Sequence, residues 1–489
     1  MTQETFRPEA RAPRGFADKR AATLRAERRI VEAVSKVYEL WGFEPLDTGA
    51  FEYADALGKF LPDSDRPNEG VFALQDDDEQ WMALRYDLTA PLARFAAQNW
   101  ETLAKPFRRY AFGPVWRNEK PGPGRFREFI QCDADTVGSA RPEADAEIIA
   151  MAVAGLEAAG LARGQAVLKF SNRKILDGVM VAAGVAEGRQ KLTVLRALDK
   201  LDRLGRDGVR DLLGKGRLDE SGAFTPGAEL STAAAGLVLD FLDMAVAGAP
   251  LDQLASAPFA QAEAAMDGFR ELEAIIAALK GLGIDDTQAL FDPSIVRGLE
   301  YYTGAVFEAD LLIETPDEKG HPVRFGSIGG GGRYDDLVAR FTGERTPATG
   351  FSFGVSRLAA ALKAAGREAA GEGRGPVVII AFDQARMSDY FAVAGELRSA
   401  GIAAEVYLGT SGMRPQMKYA DRRLAPAAVI IGEDEFAAGT ATVKDLDLGR
   451  DLSKGVTDNA AWKAERPGQQ TVARADLVAT VRKIVEAAQ

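Results

Sequence analysis

In the stretch GRFREFIQCDADTVG, residues 124–138, polar and apolar side chains alternate. Alternate residues of an extended strand share a face. Arg125, Arg127, Phe129, Gln131, Asp133 and Asp135 then line one face, and Phe126, Glu128, Ile130, Cys132 and Ala134 the other. The second set can pack on a core, Glu128 excepted. The first is polarised, with arginines at its start, carboxylates at its end and a phenyl ring between. Such a face suits an elongated ligand: an anionic part by the arginines, a flat ring on Phe129, an amine by Asp135. A solvated sheet face with offset ion pairs has the same pattern.

Other stretches carry similar chemistry. VWRNE brings Arg117 and Glu119 to the start of the loop NEKPGPG, so a third guanidinium comes near the first two. Clustered guanidinium groups repel unless an anion lies between them, and they match phosphate bidentately. LRYDLTAPLAR offers Arg85, Asp87 and Thr89 as one more polar face, although Asp87 or Thr89 could equally cap the helix that follows. RGLEYYTGAVFEAD, residues 297–310, mixes Arg297, Glu300, Tyr301, Tyr302 and two glycines with strand formers. SIGGGGRYDDL lacks the Gly-Lys-Ser/Thr ending of a phosphate loop and no clean aliphatic strand precedes it, so it reports only close backbone approach. Arg357 sits where GFSFGVSRLAAAL passes from strand to helix.

Composition narrows the chemistry. The 489 residues contain one histidine, His321, in the turn-like DEKGHPV, and one cysteine, Cys132. Zinc held by nitrogen and sulfur, Ser-His-Asp machinery and a disulfide framework are therefore not expected. No apolar run reaches the ~18–20 residues that cross a bilayer, and the N-terminus lacks a signal peptide's apolar stretch, which points to the cytoplasm. The net charge is −12, so a nucleic-acid partner must be met by local basic patches.

The elements that hold these residues follow from periodicity. Ile30, Val31, Val34, Val37, Tyr38 and Trp41 predict a helix over 20–41, ended by Gly42. Residues 70–173 alternate strands and helices, among them the hairpin PFRRYAFGPVWR with GRFREFIQCDADTVG and an amphipathic helix in RPEADAEIIAMAVAGLEAAG. Residues 175–285 turn Ala- and Leu-rich with helical spacing; strands return near 290. A Gly- and charge-rich linker over 366–375 precedes a strand–helix alternation that predicts a small α/β domain with a largely parallel sheet.

Taken together, RYDLTAPLAR, VWRNEKPGPGRFREFIQCDAD, RGLEYYTGAVFE, GGGGRYDDLV and GFSFGVSRL, in this order, resemble the histidyl-tRNA synthetases, a class II aminoacyl-tRNA synthetase family. KYADRRLAPAAVIIGEDE resembles that family's anticodon-binding domain. The resemblance covers nearly the whole chain and is weakest in the insert and the last 40 or so residues. It implies a mixed α/β fold: an antiparallel sheet with flanking helices in two parts, 1–174 and 286–367, a helical insertion over 175–285, and an anticodon-binding domain over 376–489.

It also implies ATP-dependent ligation of L-histidine to tRNA(His) through a histidyl-adenylate, with Mg²⁺ on the ATP. Asp87 and Thr89 are expected to hold the ammonium group, Gln131 and Asp135 to contact the amino acid, and Tyr301 and Tyr302 to line the imidazole pocket, with Gly304 leaving room for the ligand. Arg117 and Arg297 should lie against the α-phosphate and the carboxylate and, with Gln131, form the catalytic set. Glu119, Arg125, Phe129 and Arg357 should bind ATP. The helix over 20–41 matches the segment that pairs two subunits, so a symmetric homodimer is expected, without membrane or DNA. Nine Lys/Arg against four Asp over 189–217 suggest a clamp on the tRNA acceptor arm.

Two departures stand out: the PGPG loop has almost no side chains to read a tRNA end, and position 300 is Glu where the family has Asp. The alternatives are a non-catalytic histidine-binding regulatory paralogue and a synthetase for another amino acid. A class I synthetase, which needs a His-x-Gly-His signature, is excluded by the single histidine.

Overall fold

The computed structural model describes residues 8–60, 70–121, 126–198, 200–218, 224–295, 302–316, 322–366, 374–453 and 468–487. The chain forms two compact units, Met1–Arg367 and Glu368–Gln489. The first is built on a sheet whose order is Glu44–Pro45, Phe107–Trp116, Glu128–Val137, Ala348–Gly354, Pro322–Arg333, Ala305–Pro316, Ala166–Asn172 and Ala289–Phe291. The six middle strands run antiparallel; the two outer pairs are parallel.

Helix Ala21–Leu40 turns Ile30, Val31, Val34 and Tyr38 into the core. Gly42, at φ 79°, ends it in a conformation that L side chains rarely adopt. The helix expected to be amphipathic, Pro142–Ala158, is instead buried almost all round from Asp145 to Leu156. It lies between the sheet, helix Ala21–Leu40 and helix Glu263–Gly281. A Cβ on its Gly155 would meet the Phe353 ring at 3.1 Å, so the helix rests directly on the sheet.

The glycine run is a strand. A Cβ on Gly331 would lie 2.0 Å from the Gly350 carbonyl oxygen, and one on Gly329 2.7 Å from that of Ser352. Arg333 ends this strand buried, its Nη2 2.6 Å from Asp145 on helix Pro142–Ala158, and donates to the carbonyls of Ser139 and Arg141. Removing one partner of such a buried pair costs about 3–5 kcal/mol, because the other charge is left uncompensated. Gly304 belongs to this arrangement: a Cβ there would meet the Arg333 stem at 3.0 Å. Its lack of a side chain accommodates Arg333, not the ligand expected from the sequence.

The insert is helical as expected, with Arg173–Ala182, Arg189–Leu198, Leu201–Leu213, Thr232–Val246 and Glu263–Gly281, plus a hairpin of Gly216–Leu218 and Phe224–Pro226. Its Val194, Leu195, Leu212 and Val238 join the same apolar core as the sheet.

The second unit has the strand order Ala404–Val406, Val377–Ile380, Ala427–Ile430, Thr440–Asp445, Gln469–Ala473. The first three are parallel, and Val377–Ile380 is buried on both faces, as a covered parallel strand must be. The last two are antiparallel. Only residues 431–439 separate Ala427–Ile430 from the next strand, too few for the dozen or more residues of a parallel crossover.

Candidate active site

Strand Glu128–Val137 lies between Phe107–Trp116 and Ala348–Gly354. Its apolar face is core-facing in part: Cys132 and Ala134 are fully buried, Glu128 accepts the Trp116 indole N–H at 3.0 Å, and Phe126, expected to pack there too, is 51% exposed where it precedes the strand. The polar face is not solvated. Gln131, Asp133 and Asp135 are 8%, 1% and 2% exposed.

Asp135 stands directly across from Arg109 in the hairpin, and the two form an ion pair at 2.8 Å. Arg109 is fully buried and also donates to the Leu88 carbonyl at 2.8 Å. Tyr334 donates its hydroxyl to the same Asp135 carboxylate. Asp133 takes the Ser352 hydroxyl on Oδ1; its Oδ2 and the Gln131 Oε1 are buried and accept no hydrogen bond from the described residues. Burial pushes both aspartates up, Asp133 to about 8, with the Asp135 charge as the next cause. Arg109 opposes the shift in both.

Asp87 caps the first turn of helix Thr89–Asn99, its Oδ1 accepting the N–H groups of Thr89 (3.0 Å) and Ala90 (2.8 Å). That use as a cap leaves Oδ2 outside these two bonds. Arg85 does not share a ligand face with Asp87. It is buried and donates to the carbonyls of Thr48 (2.8 Å) and Pro114 (2.9 Å). A Cβ on Gly113 would meet its guanidinium at 2.4 Å, so Arg85 fills the space that glycine leaves.

Arg117 lies over two rings, 4.4 Å from Tyr86 and 5.1 Å from Phe129. Tyr86 donates its hydroxyl to Glu119 at 3.0 Å; burial above all pushes that phenol up to about 12. Arg127 turns away from this group, donating to the Glu119 carbonyl and lying over Phe72. Tyr302 has its hydroxyl held protonated well above the usual range, by burial first and then by the charges of Asp87, Asp135 and Asp133. Gly332 clears space for the Tyr302 ring: a Cβ there would meet it at 2.8 Å.

Arg357 is exposed near the start of helix Val355–Ala364. The neighbouring Ser356 fixes that helix: its hydroxyl accepts the Ile130 N–H at 3.2 Å and donates at 2.7 Å to Glu27, which Lys19 pairs. Arg125, Arg297, Tyr301 and His321 lie outside the described residues.

The structure thus brings together Asp87, Thr89, Gln131, Asp133, Asp135 and Tyr302, with Arg117, Phe129 and Glu119 alongside. Sequence reasoning missed Arg109, Ser352 and Tyr334. Arg109 could have been found by counting the hairpin register back from its loop, since every pair from Phe107↔Val137 to Trp116↔Glu128 keeps one alignment. Chemically, the cluster offers buried acceptors at one end and a stacked guanidinium with a carboxylate at the other.

Residues 15–358 match the family model of histidyl-tRNA synthetase, and 376–484 that of the anticodon binding domain. A histidine–tRNA ligase of Caulobacter vibrioides is 76% identical over 483 residues, covering 98% of this chain and 97% of the relative. One of Bradyrhizobium diazoefficiens is 52% identical over 498 residues, 99% and 98% of the two chains. The crystal structure of a histidyl-tRNA synthetase from Nostoc sp. PCC 7120 is 28% identical with a TM-score of 0.69, over 98% of this chain and 100% of that one.

The Asp133 carboxyl stands at about 8 in the fold and near about 3.9 in an unfolded chain. Between those values the folded state holds a proton that the unfolded state lacks. The stability linked to it is full below about pH 4 and is lost as pH rises through about 8. The melting temperature of the unaltered protein minus that of Asp133→Asn is expected to fall as pH is raised over this range, measured calorimetrically without substrates. A difference that stays flat contradicts the buried, raised carboxyl.

Proposed function

Because the chain belongs to the histidyl-tRNA synthetase family and ligates histidine to tRNA in an ATP-dependent reaction, we propose that the cluster on strand Glu128–Val137 is the adenylation site. Gln131 is the observation that carries this reading. Its side chain is 8% exposed, and its Oε1 meets no donor among the described residues. A buried acceptor without a partner costs stability unless a ligand supplies the donor.

In this reading the α-ammonium group lies at Asp87 and Thr89, and the imidazole against Tyr301 and Tyr302. Asp135 contacts the amino acid while keeping Arg109 and Tyr334, which already occupy its carboxylate. Arg117 and Arg297 face the substrate carboxylate and the α-phosphate. The adenine rests by Phe129 and Glu119, the triphosphate toward Arg125 and Arg357. The described residues bring no three carboxylates, imidazoles or thiolates together around a metal, so Mg²⁺ comes with the ATP phosphates and shares their charge.

The histidine carboxylate attacks the α-phosphorus, the bond to the β-phosphate oxygen breaks, and pyrophosphate leaves. A ribose hydroxyl at the tRNA end then attacks the carbonyl carbon, and AMP leaves. A carboxylate is already ionised at pH 7, so the first step needs no basic side chain. What it needs is alignment and fixed positive charge where negative charge develops. Stacking on two rings holds the Arg117 guanidinium in place before substrates arrive.

Binding of tRNA by a chain of charge −12 calls for a local site. Lys191, Arg206 and Arg210 already pair with carboxylates inside the insert. In this reading the phosphate contacts come from the basic stretch 189–217, of which Arg189, Arg196 and Lys200 line a cleft of about 710 Å³.

A second copy of the chain covers the small sheet of Phe51–Tyr53, Trp81–Leu84 and Ala73–Gln75. Tyr53, Met82 and Leu74 stand abreast on it, and Phe51, Tyr53 and Leu74 are 44%, 56% and 42% exposed. The apolar stripe of helix Ala21–Leu40, expected to pair subunits, is used on its own core.

Three outcomes follow from these assignments. Arg117→Ala slows histidine-dependent ATP–pyrophosphate exchange by a factor on the order of 10²–10³, as loss of one oxyanion donor does; a rate near that of the unaltered enzyme would refute its role. Replacing Arg189, Arg196 and Lys200 by alanine makes the salt dependence of tRNA affinity shallower by about 2–3 in log–log slope, and an unchanged slope sinks the clamp. Sedimentation equilibrium gives a dimer for the unaltered chain and a monomer for Tyr53→Glu with Leu74→Lys. A mass that stays that of a dimer in the variant shows the contact to be elsewhere.

A further inference from the structure

Residues 13–19, ahead of helix Ala21–Leu40, have no part in the assignments above, yet they are built into the ends of the loop that carries Glu119. The Gly15 carbonyl accepts the Arg127 N–H at 2.9 Å. Gly15 stands at φ 86°, in the left-handed region that favours glycine. A Cβ there would meet Cγ and Cδ of Arg127 at 2.8 Å and Cβ of Pro121 at 3.2 Å. Pro121 and Arg127 belong to opposite limbs of the loop, so Gly15 is wedged against both. Phe16 continues the contact. Its ring packs on that of Phe72, with 5.7 Å between centroids, and the Arg127 guanidinium lies over the same Phe72 ring.

Two further bonds lead from here to the groups assigned to ATP. Arg127 Nε donates to the Glu119 carbonyl at 2.9 Å, and the Arg127 carbonyl accepts the Arg117 N–H at 2.9 Å. Glu119 is thus held at both ends, its carboxylate by Tyr86 and its carbonyl by Arg127. Four residues beyond Gly15, Lys19 reaches Glu27 at 2.8 Å and the Ser356 hydroxyl at 3.2 Å. That hydroxyl accepts the Ile130 N–H. The segment is therefore tied down at Arg127 and, through Ser356, at Ile130, on either side of Phe129 in the chain.

We propose that Gly15, Phe16 and Arg127 are positioning residues for ATP: the segment 13–19 braces both limbs of the loop and so sets Glu119 for the adenine and Arg117 for the α-phosphate. The assignment rests on the reading of Glu119, Phe129 and Arg117 as ATP groups. A step that depends on alignment is sensitive to small displacements, about a hundredfold for a shift of about 1 Å. The Arg127 stem is tied at its Nε, so yielding to a Cβ at Gly15 pulls on the Glu119 carbonyl. This bracing does not run through Asp87 or Gln131, and the amino-acid half of the site is spared.

The test is histidine-dependent ATP–pyrophosphate exchange by the full-length enzyme, with KM for ATP and for histidine measured separately. Gly15→Ala is expected to raise KM for ATP about tenfold, and Phe16→Ala about threefold to tenfold. KM for histidine should stay within about twofold in both, a split that general loosening of the fold does not give. Phe16→Leu, which keeps an apolar contact with Phe72, should bring KM for ATP back to within about twofold of the unaltered enzyme. In an Arg127→Ala background, Gly15→Ala should add less than about twofold, because the stem that its Cβ meets is gone.

An unchanged KM for ATP in either Gly15→Ala or Phe16→Ala overturns the proposal, and so do KM values for ATP and histidine that rise together. A Gly15→Ala effect of the same size with and without the Arg127 side chain overturns it as well. Phe129→Ala separates this proposal from the reading beneath it. If it raises KM for ATP and the variants at 15 and 16 leave it unmoved, the bracing alone fails. If Phe129→Ala leaves KM for ATP unchanged, the adenine assignment fails and the proposal with it.

Discussion

Two carboxylates two residues apart on one strand, Asp133 and Asp135, are buried against one guanidinium, that of Arg109. Much of the sheet around them answers to this. Arg109 must stand directly opposite Asp135, so the hairpin register is held by an ion pair as well as by the backbone ladder. Position 350, across on the other side, must be glycine, since a Cβ there would come within 1.9 Å of the Asp135 carboxylate. Glycines at 113 and 332 likewise leave space that Arg85 and Tyr302 occupy. The glycines hollow out the middle of the sheet, and charged or phenolic side chains, not apolar ones, fill much of the hollow.

Such a centre is costly for folding. Burial of an uncompensated charge disfavours the ionised form, and the raised carboxyl of Asp133 expresses that cost. The compensation lies outside the cluster: a continuous apolar core runs from helix Ala21–Leu40 through Pro142–Ala158 into the insert. Rigid supports also reach the site from afar, as where Lys19, Glu27 and Ser356 tie the Arg357 helix to the strand at Ile130. For a reaction whose barrier falls chiefly through alignment and preset charge, a stiff polar pocket with unmet donors and acceptors is what the chemistry asks of the fold.

Elements whose signal is periodic were legible in the sequence: helix Ala21–Leu40, the long hairpin, the helical insert and the α/β character of the second unit. So was the alternation that puts Gln131, Asp133 and Asp135 on one face. Pairing across strands was not. Arg109 looked like one more basic residue, Gly304 looked like clearance for a ligand, and Arg85 looked like a neighbour of Asp87, because each depends on what lies opposite in the sheet. Helix Pro142–Ala158 was misread as amphipathic; its polar residues cluster in the first turn, and being covered on several sides is a property of the neighbours. The second unit's antiparallel strands depend on connection length, which alternation of strand and helix does not encode.

The central claim is that the unmet acceptor of Gln131 on strand Glu128–Val137 is completed by the substrate. A crystal structure of the enzyme with L-histidine and a non-hydrolysable ATP analogue tests this most directly. The account predicts a donor from histidine within about 3.2 Å of Gln131 Oε1, with the adenine lying beside Phe129 and Arg117. Histidine bound elsewhere, with the Gln131 acceptor still facing no donor, would contradict it.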